Sequence, residues 1–589
     1  MKKNAFYLIT TADELTWKFG EPVLFLGSWC CSYDRKHIWK NMNYEIAEPY
    51  GLDKAIKDED FNLAIKIQNK LLNILRNSLN YYHNIQGSER FWNILIGHWL
   101  QRYVHVMMNR INTLEAVFNT YSIKGTIAYS SDSYSLASNN SLEAIYSFSD
   151  DQWNSILYLR LISLLGFQNL SVEYNLEATD KKFSFDTFHH LSILSEMFKK
   201  QLFSLTKKIR ERDGLIISSK LPPKKDAALK ISLGQIPIKY EWSFPFYEEK
   251  NEANKEIRRQ LTARATDPSE CRMTKILVEM LFELLPICYL EGFKDLNKVV
   301  SEMPWPKTPR FIFTSNDFAN NEVFKLWTAF KTQEGIKYIV GQHGNNYGTY
   351  RYLSPSIEEI TSDKFLTWGW SDGLIQHVPS FILTHPTQTK KNYNSLGSLL
   401  LIEVHLEHRF TIWDATNEFT NYFKDQQKFV AELCSPSKEA LIIRLHSATN
   451  LMGFGEKARW KDFDCSLTID DGAKKLKKLI NKSRLIIFSY DSTGFLETLS
   501  DNIPTIAFWQ NGLDHVKDWA APYYELLVEA EIIHFTPESA AKKVNEVWND
   551  VDSWWMQDKV QSARATFSKF FAKKSKHPIV ALKKILESI

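Results

Sequence analysis

The stretch from residue 484 to residue 509, RLIIFSYDSTGFLETLSDNIPTIAFW, constrains the fold of this chain more than any other. An apolar run at 485–489 leads into a small, hydroxyl-rich turn, which is followed by a helical pattern at 495–500 and a second apolar run at 504–509. Strands that alternate with helices across short loops are typical of a parallel sheet covered by helices. The predicted helix begins beside two hydroxyls and a glycine, and such an end favours anions, above all phosphate.

The same alternation occurs on both sides of a segment without a strong period. This segment, 373–397, contains two prolines and is interpreted as a linker. Apolar runs that read as strands occur at 310–316, 336–344, 363–370, 398–406 and 440–447. The sequence therefore predicts an α/β protein with two doubly wound, mainly parallel sheets facing a cleft, and helical additions in the N-terminal half. We expect an N-terminal α/β domain at 1–395, a C-terminal domain at 396–560, and helices at 561–589 that pack back on both.

The bulk composition is that of a globular protein without a strong electrostatic partner signal. The chain is 44% hydrophobic and 24% charged, and its net charge of +3 does not indicate nucleic acid. The N-terminus does not read as a signal peptide, and no apolar run is long enough to span a membrane. We expect a cytoplasmic protein, with contact to the inner membrane face left open. One stretch, 199–230, carries ten Lys or Arg against three acids and reads either as a solvated surface or as a patch for anionic lipid or substrate.

Polar side chains gather at the predicted carboxyl ends of the C-terminal strands, where ligands of such sheets bind. Positive charge from an arginine and a histidine, together with hydroxyls and helix N–H groups, could hold a phosphate, and a carboxylate one turn into the helix could hold a ribose. The alternative is an ordinary capped helix, an arginine paired with a nearby acid and a satisfied core histidine. The candidates are Arg444, His446, Ser489, Ser492, Thr493, Gly494 and Glu497.

A second set of candidates lies in the N-terminal half. His343 is flanked by glycines after a predicted strand, and its ordinary pKa near neutrality suits proton transfer or phosphate binding. Acidic residues near it could act as base, nucleophile or orienting group, or could equally be helix caps. The catalytic candidates are His343, Asp317 and Glu322. The substrate-binding candidates are Gln342, Asn345 and Glu359, with Glu358 and Asp363 as further acids that could orient the histidine.

Several common enzyme classes lack their sequence signature here. The chain has no GxxxxGK[ST] loop, no GxGxxG, no HExxH and no paired-cysteine zinc pattern. P-loop NTPases, the common dehydrogenases and zincins are therefore disfavoured. We expect no metal site and no cofactor other than a nucleotide-linked donor.

Three strings of this sequence resemble transferases encoded in bacterial surface-polysaccharide loci. They are TSNDFANNEVFKLWTAF, GIKYIVGQHGNNYGTYRY and EEITSDKFLTWGW, and the N-terminal FLGSWC and SERFWNILIGHWL fit the same family. The C-terminal RLHS and SYDSTGFLETLSDNIPTIAFW are similar to the donor-nucleotide half of two-domain GT-B glycosyltransferases, with two Rossmann-type domains. Among these they look closest to capsule Kdo transferases and to teichoic-acid-type polymerases.

This resemblance implies a metal-independent glycosyltransferase that uses a CMP-activated nonulosonic or ulosonic acid, such as pseudaminic, legionaminic or sialic acid or Kdo. By the same resemblance, His446 matches the first residue of a His-Pro motif that contacts the donor phosphate, although Ser447 follows it here. Ser492 and Thr493 match a phosphate-binding hydroxyl pair, and Glu497 matches a ribose-binding acid. His343 falls where the polymerases carry a His-Gly that serves as base.

Other functions fit the same residues. A polyol-phosphate transferase with a CDP-polyol donor would use the same phosphate cradle, and a nucleotide-sugar 2-epimerase would need only the donor. A non-catalytic scaffold for envelope assembly would bind no nucleotide. For the transferase we expect a surface glycan or a protein as acceptor and no nucleic-acid partner, and the stereochemical outcome stays open.

Overall fold

The computed structural model describes residues 5–130, 135–167, 170–177, 210–238, 249, 251–353, 355–387, 393–404, 419–446 and 455–588. Within these ranges the strands form three parallel sheets, each covered by helices. The α/β class with Rossmann-type parallel sheets is therefore confirmed. Residues 199–209 of the basic stretch at 199–230, and Ser447, lie outside the described residues.

The N-terminal sheet has the strand order β3-β2-β1-β4-β5, with every neighbouring pair parallel. This is the Rossmann order, in which the chain starts in the centre and reverses direction between β1 and β4. The sequence predicted a strand at 22–30 followed by helices, so a complete third sheet here was not expected. Its strands are β1 Phe6–Ile9, β2 Val23–Phe25, β3 Tyr44–Ile46, β4 Ile123–Ser130 and β5 Ser171–Glu177.

The middle sheet has its strands in chain order, β10-β9-β8-β7-β6. Doubly wound order was expected here and is not found, because each new strand adds to the same side of the last one. Right-handed crossovers in such a sheet leave their helices on one face, so the other face needs a different cover. The strands are β6 Leu215–Ile217, β7 Phe311–Thr314, β8 Lys337–Gly341, β9 Lys364–Thr367 and β10 His377–Pro379.

The C-terminal sheet is doubly wound, as predicted, with the order β13-β12-β11-β14-β15-β16. Its strand order reverses between β11 and β14, so the crevice for a ligand lies beyond the carboxyl ends of these two strands. The apolar runs read from the sequence supply the buried centre of the sheet, including Leu399–Leu401 and Leu485–Ile487. The strands are β11 Ser398–Ile402, β12 Leu441–Arg444, β13 Thr468–Asp470, β14 Ser483–Phe488, β15 Thr505–Phe508 and β16 Ile533–His534.

Two long helices dominate the N-terminal half. Asp53 caps the first by accepting from the N–H groups of Ala55 and Ile56, and Ser88 caps the second through the N–H of Phe91. No described helix is both long and apolar enough to cross a membrane. The helices before β11 are α1 Lys36–Trp39, α2 Lys54–His83, α3 Glu89–Thr120, α4 Ser141–Ser147, α5 Asp151–Leu164, α6 Pro223–Ser232, α7 Lys255–Ala265, α8 Arg272–Leu284, α9 Phe293–Ser301, α10 Glu322–Gln333 and α11 Ile357–Thr361.

The last helix of the chain covers the open face of the middle sheet. Leu582 and Leu586 are buried in a cluster with Ile216, Phe313 and Leu366 of that sheet. The chain thus returns from the C-terminal sheet to the middle one. The helices after β11 are α12 Phe419–Ala431, α13 Ser435–Glu439, α14 Glu456–Phe463, α15 Leu476–Ile480, α16 Thr493–Ser500, α17 Ala521–Glu529, α18 Pro537–Val547, α19 Val551–Trp555, α20 Asp558–Phe571 and α21 Pro578–Glu587.

Candidate active site

The carboxyl edges of the middle and C-terminal sheets meet at a hydrogen-bonded junction. The N–H of Asn345, in the loop after β8, donates to Thr493 Oγ1 (2.9 Å), and Asn345 Nδ2 donates to Asp491 Oδ1 (2.7 Å). Asp491 also accepts from the Tyr524 hydroxyl (2.8 Å) and lies 3.3 Å from His515 Nε2. Because ligands of parallel α/β sheets bind at this edge, the junction is where a site is expected.

His343 lies beside the junction, and a chain of hydrogen bonds holds its ring. Nδ1 is 3.1 Å from the Tyr347 hydroxyl, which donates a short bond to Glu358 Oε1. While Glu358 is ionised, the Tyr347 proton is directed to that carboxylate, so the Tyr347 oxygen accepts from Nδ1–H of His343. Nε2 is then the unprotonated nitrogen of the neutral ring, the one able to accept a proton.

Burial tunes the titration of this chain of groups. It lowers the pKa of His343 to about 4, and the charge of Lys220 adds to the shift. Burial also raises the pKa of Glu358 to about 7, although the bond from Tyr347 opposes that rise. Glu358 Oε2 lies 3.4 Å from His98 Nε2 without the alignment of a hydrogen bond. A carboxyl group with a pKa near 7, linked to a neutral histidine, is typical of a site that moves protons.

The N-terminus of α16 has the geometry of an anion site. The Ser492 hydroxyl caps the helix by accepting from the N–H of Phe495 at 3.1 Å. The preceding N–H groups, those of Thr493 and Gly494, have no hydrogen-bond partner among the described residues. A Cβ on Gly494 would come within 2.8 Å of the Phe488 ring, so glycine allows the helix to begin this close to β14. Such a helix end carries positive potential and favours phosphate.

Glu497 lies one turn into α16 and faces the segment that joins the middle and C-terminal sheets. Its Oε1 accepts from Thr384 Oγ1 at 2.7 Å, and its Oε2 is 3.9 Å from His385 Nε2. The side chain is 25% exposed. Glu497 is therefore partly accessible, and its role toward a ribose stays a prediction.

Three other candidates from the C-terminal sheet occupy different settings. Arg444 forms a close ion pair with Asp470 on the neighbouring strand β13, so its charge is largely neutralised. This is the alternative considered from the sequence, an arginine paired with a nearby acid. His446 is exposed just beyond β12. Ser489 is buried, and its hydroxyl bonds with Tyr422 OH (2.6 Å) and the Ile402 carbonyl (3.1 Å), which gives it a structural role.

Two of the three substrate-binding candidates are structural. The Gln342 side chain donates to the Gly344 carbonyl and accepts from Trp368 N–H and Trp370 Nε1, each at 2.8–2.9 Å, so its oxygen accepts two bonds and its nitrogen donates one. Glu359 is fully buried and closes a capping box at the start of α11 by accepting from the Ser356 N–H at 2.6 Å. Asn345 is buried at the junction, and its role toward a substrate stays a prediction.

The two acidic catalytic candidates differ in their surroundings. Glu322 is buried, pairs with Lys325 at 2.9 Å, and accepts from Tyr289 OH and from both the N–H and hydroxyl of Ser141. These donors occupy both carboxylate oxygens, so we drop Glu322 as a base. Asp317 is half-buried after β7 and accepts from Asn321 Nδ2 at 3.3 Å. It remains a candidate next to His343 in the edge of the middle sheet.

Sequence reasoning named Glu358 among the acids that could orient His343, but it did not identify Tyr347. Tyr347, which links His343 to Glu358, reads as one aromatic among many, and Glu358 could not be preferred over Glu359.

A second buried acid pair, Glu403 and Glu456, lies next to the crevice at the end of β11. Burial raises their pKa values to about 8 and about 7. A glutamate directly after a buried strand was the available signal for Glu403.

A metal site is not evident in the described ranges. No three His, Cys, Asp or Glu side chains converge there as ligands of one ion would. The metal-independent mechanism stays a prediction.

Comparison with known proteins identifies a family. Solved structures with a similar fold include a proposed UDP-N-acetylglucosamine 2-epimerase from Listeria monocytogenes (12% identity, 64% of this chain and 97% of that chain, TM-score 0.36). The spinosyn rhamnosyltransferase SpnG complexed with spinosyn aglycone also matches (11% identity, 63% and 99%, TM-score 0.30). No curated protein sequence matches the chain. A family model described as LIC12162 family transferase matches residues 6–586, and the chain belongs to this transferase family.

Proposed function

We propose that this transferase is a glycosyltransferase that moves a nonulosonic or ulosonic acid, such as pseudaminic, legionaminic or sialic acid or Kdo, from a CMP-activated donor to a surface glycan or protein. The observation that carries the proposal is the junction at Asn345. The junction joins two parts of the molecule. One is the loop that carries His343, whose Nε2 is unprotonated, and the other is the N-terminus of α16, which is suited to phosphate. The family match supports group transfer, and the resemblance of residues 484–509 to donor-nucleotide domains supports a cytidine donor.

In the proposed reaction, His343 acts as the base. Nε2 takes the proton of an acceptor hydroxyl, whose oxygen forms a bond to the anomeric carbon of the sugar. The bond between that carbon and the phosphate oxygen of CMP breaks, and CMP leaves with the electron pair. The N–H groups of Thr493 and Gly494 and the dipole of α16 stabilise the charge that develops on the leaving phosphate.

The hydrogen-bond chain from His343 through Tyr347 to Glu358 favours His343 over Asp317 as the base. Tyr347 and Glu358 fix the ring so that Nε2 is basic, which is the arrangement of a base with an orienting group. Asp317 accepts from Asn321 Nδ2 at 3.3 Å, a contact that does not by itself orient a base. The proposed setting is the cytoplasm, with contact to the inner membrane face if the acceptor is lipid-linked.

Nucleotide binding tests the proposal. We would measure the thermal unfolding midpoint of the whole protein with CMP, CDP, UMP, UDP and GDP, and repeat the panel on Glu497→Ala. Binding to the folded state stabilises it by about 2.7 kcal/mol at a hundredfold excess over Kd. Glu525→Ala is the matched control because Glu525 is an exposed acid on α17 of the same domain.

The expected result is a CMP-dependent rise in the wild type and in Glu525→Ala that is largely lost in Glu497→Ala. Stabilisation by CDP in preference to CMP would favour the CDP-polyol donor instead. Stabilisation by UDP or GDP alone would reject the cytidine donor. The absence of any nucleotide effect would favour the scaffold alternative.

A further inference from the structure

A strained loop follows β6 at the edge of the middle sheet. Ser218 and Lys220 both have positive φ angles, 45° and 59°, in the left-handed region that non-glycine residues rarely adopt. Such conformations are unfavourable and persist only where neighbouring contacts impose them. Here the N–H of Ser315 donates to the Ser218 carbonyl (3.1 Å), and the Ser219 hydroxyl donates to Asp226 (2.6 Å). The loop is thus fixed in a particular shape.

The sheet register brings Lys220 to the same edge as the proposed base. Ile217, Thr314 and Val340 pair in one row across β6, β7 and β8. Three positions further along the chain from these paired residues lie, in the same order, Lys220, Asp317 and His343. Since neighbouring strands are about 4.8 Å apart, two strand spacings separate β6 from β8. The charge of Lys220 also contributes to the low pKa of His343.

The ammonium group of Lys220 is available for a ligand. The residue is exposed, and no carboxylate of the described residues lies within ion-pair distance of it. Charged or titratable groups near this edge also include Asp226, Asp317, Glu358 and the buried Lys325. A lysine held in a strained loop, with no ion pair and beside a neutral histidine, has the placement expected of an anion-binding residue.

We propose that Lys220 binds an anionic group, a carboxylate or a phosphate, carried by the substrate whose reacting atoms reach His343. This inference rests on His343 being the base in the proposed function. It specifies the substrate class as acidic at or next to the reacting centre. A carboxylate beside the anomeric carbon and a phosphate on the transferred group are the two sources that share this chemistry, and neutral sugars are disfavoured.

The test uses inorganic phosphate and acetate as separate probes on the full-length protein. The ring signal of His343 is followed by NMR with ¹³C-labelled histidine, and its loss in His343→Asn assigns it. We expect a saturable shift of this signal with at least one anion. Lys220→Met should weaken the apparent affinity about tenfold, or about 1.4 kcal/mol, whereas Lys220→Arg should retain it. Lys224→Met, an exposed lysine that follows the same loop, should leave it unchanged.

Each outcome separates the two proposals. Equal anion affinity in Lys220→Met and wild type, or no saturable shift in the wild type, would overturn the inference. A stronger response to acetate would indicate a carboxylate substrate, and a stronger response to phosphate would indicate a phosphate-bearing one. CMP binding, measured on the same samples, reports on the proposed donor alone. Loss of the anion response in Lys220→Met together with no CMP binding would contradict the proposed CMP-activated donor and would support anion binding by Lys220.

Discussion

At His343, the direction of two hydrogen bonds decides which ring nitrogen can accept a proton. When Glu358 is ionised, it draws the Tyr347 proton, and Nδ1–H of His343 donates to Tyr347. When Glu358 is protonated, it can donate to Tyr347, whose proton then turns toward Nδ1. The ring proton would move to Nε2 and block the base. In the proposed reaction, the protonation of the buried Glu358 would therefore control the base.

This coupling predicts the pH dependence of activity. Because the pKa of Glu358 is raised to about 7 and that of His343 lowered to about 4, kcat/KM of nucleotide release should rise through about pH 7 in the wild type. Glu358→Gln places a neutral group that can donate to Tyr347 at every pH, as protonated Glu358 does, so its kcat/KM should stay low and show no rise near pH 7. Tyr347→Phe breaks the link between Glu358 and His343, so its rising limb should move toward pH 4. A rising limb that stays near pH 7 in both variants would refute the coupling.

The sequence allowed some residue roles to be predicted and not others. The Gly-flanked His343 and the hydroxyl turn at Ser492 and Thr493 were predictable, because a strand end followed by small residues is a local pattern. The pairing of Arg444 with Asp470 was not, since it depends on two strands that the chain connects only through a distant helix. Glu358 and Glu359 are neighbours in sequence, and only the packing of α11 decides which one faces Tyr347.

At the scale of elements, strands separated by short connections were predicted from the sequence, whereas strands separated by long connections were not. The doubly wound C-terminal sheet was predictable because its strands and helices alternate closely. In the N-terminal sheet, β3 ends at Ile46 and β4 begins at Ile123, with α2 and α3, helices of 30 and 32 residues, between them. A three-residue strand such as β3 gives almost no periodic signal against such helices.

The terminal helix α21 provides a prediction at this scale. Leu582 is fully buried against the middle sheet, whereas Val580 on the same helix is 69% exposed. Leu582→Ala should destabilise the protein by about 2–5 kcal/mol through the cavity it leaves, measured as a lower denaturation midpoint in urea. Val580→Ala should change it by about 0.5 kcal/mol or less. Equal midpoints for the two variants would show that α21 does not cover the sheet.

At the scale of the whole molecule, the three sheets are joined by contacts at their edges. Tyr33, beyond the N-terminal sheet, stacks with the Arg459 guanidinium (4.3 Å from the ring centroid) and donates a short bond to Asp462 of α14. The middle and C-terminal sheets are joined by a bridge between Tyr350 and Val516, in addition to the Asn345 junction. A ligand at the junction would therefore contact groups from two sheets.

Two of the three sheets have the Rossmann order, and each has a crevice where its strand order reverses. A nucleotide could in principle use the crevice between β1 and β4 or the one between β11 and β14. The proposed function depends on the second, because only that crevice adjoins His343. The location of a bound nucleotide is thus the central claim.

Hydrogen–deuterium exchange of the full-length protein with and without CMP measures that location most directly. We predict slower exchange in peptides that cover 489–497 and 342–348, because CMP would stabilise the N-terminus of α16 and the loop bonded to it. Peptides at 9–12 and 26–31, which border the N-terminal crevice, should exchange at the same rate in both samples. Protection confined to the N-terminal crevice, or no protection in any peptide, would contradict the account.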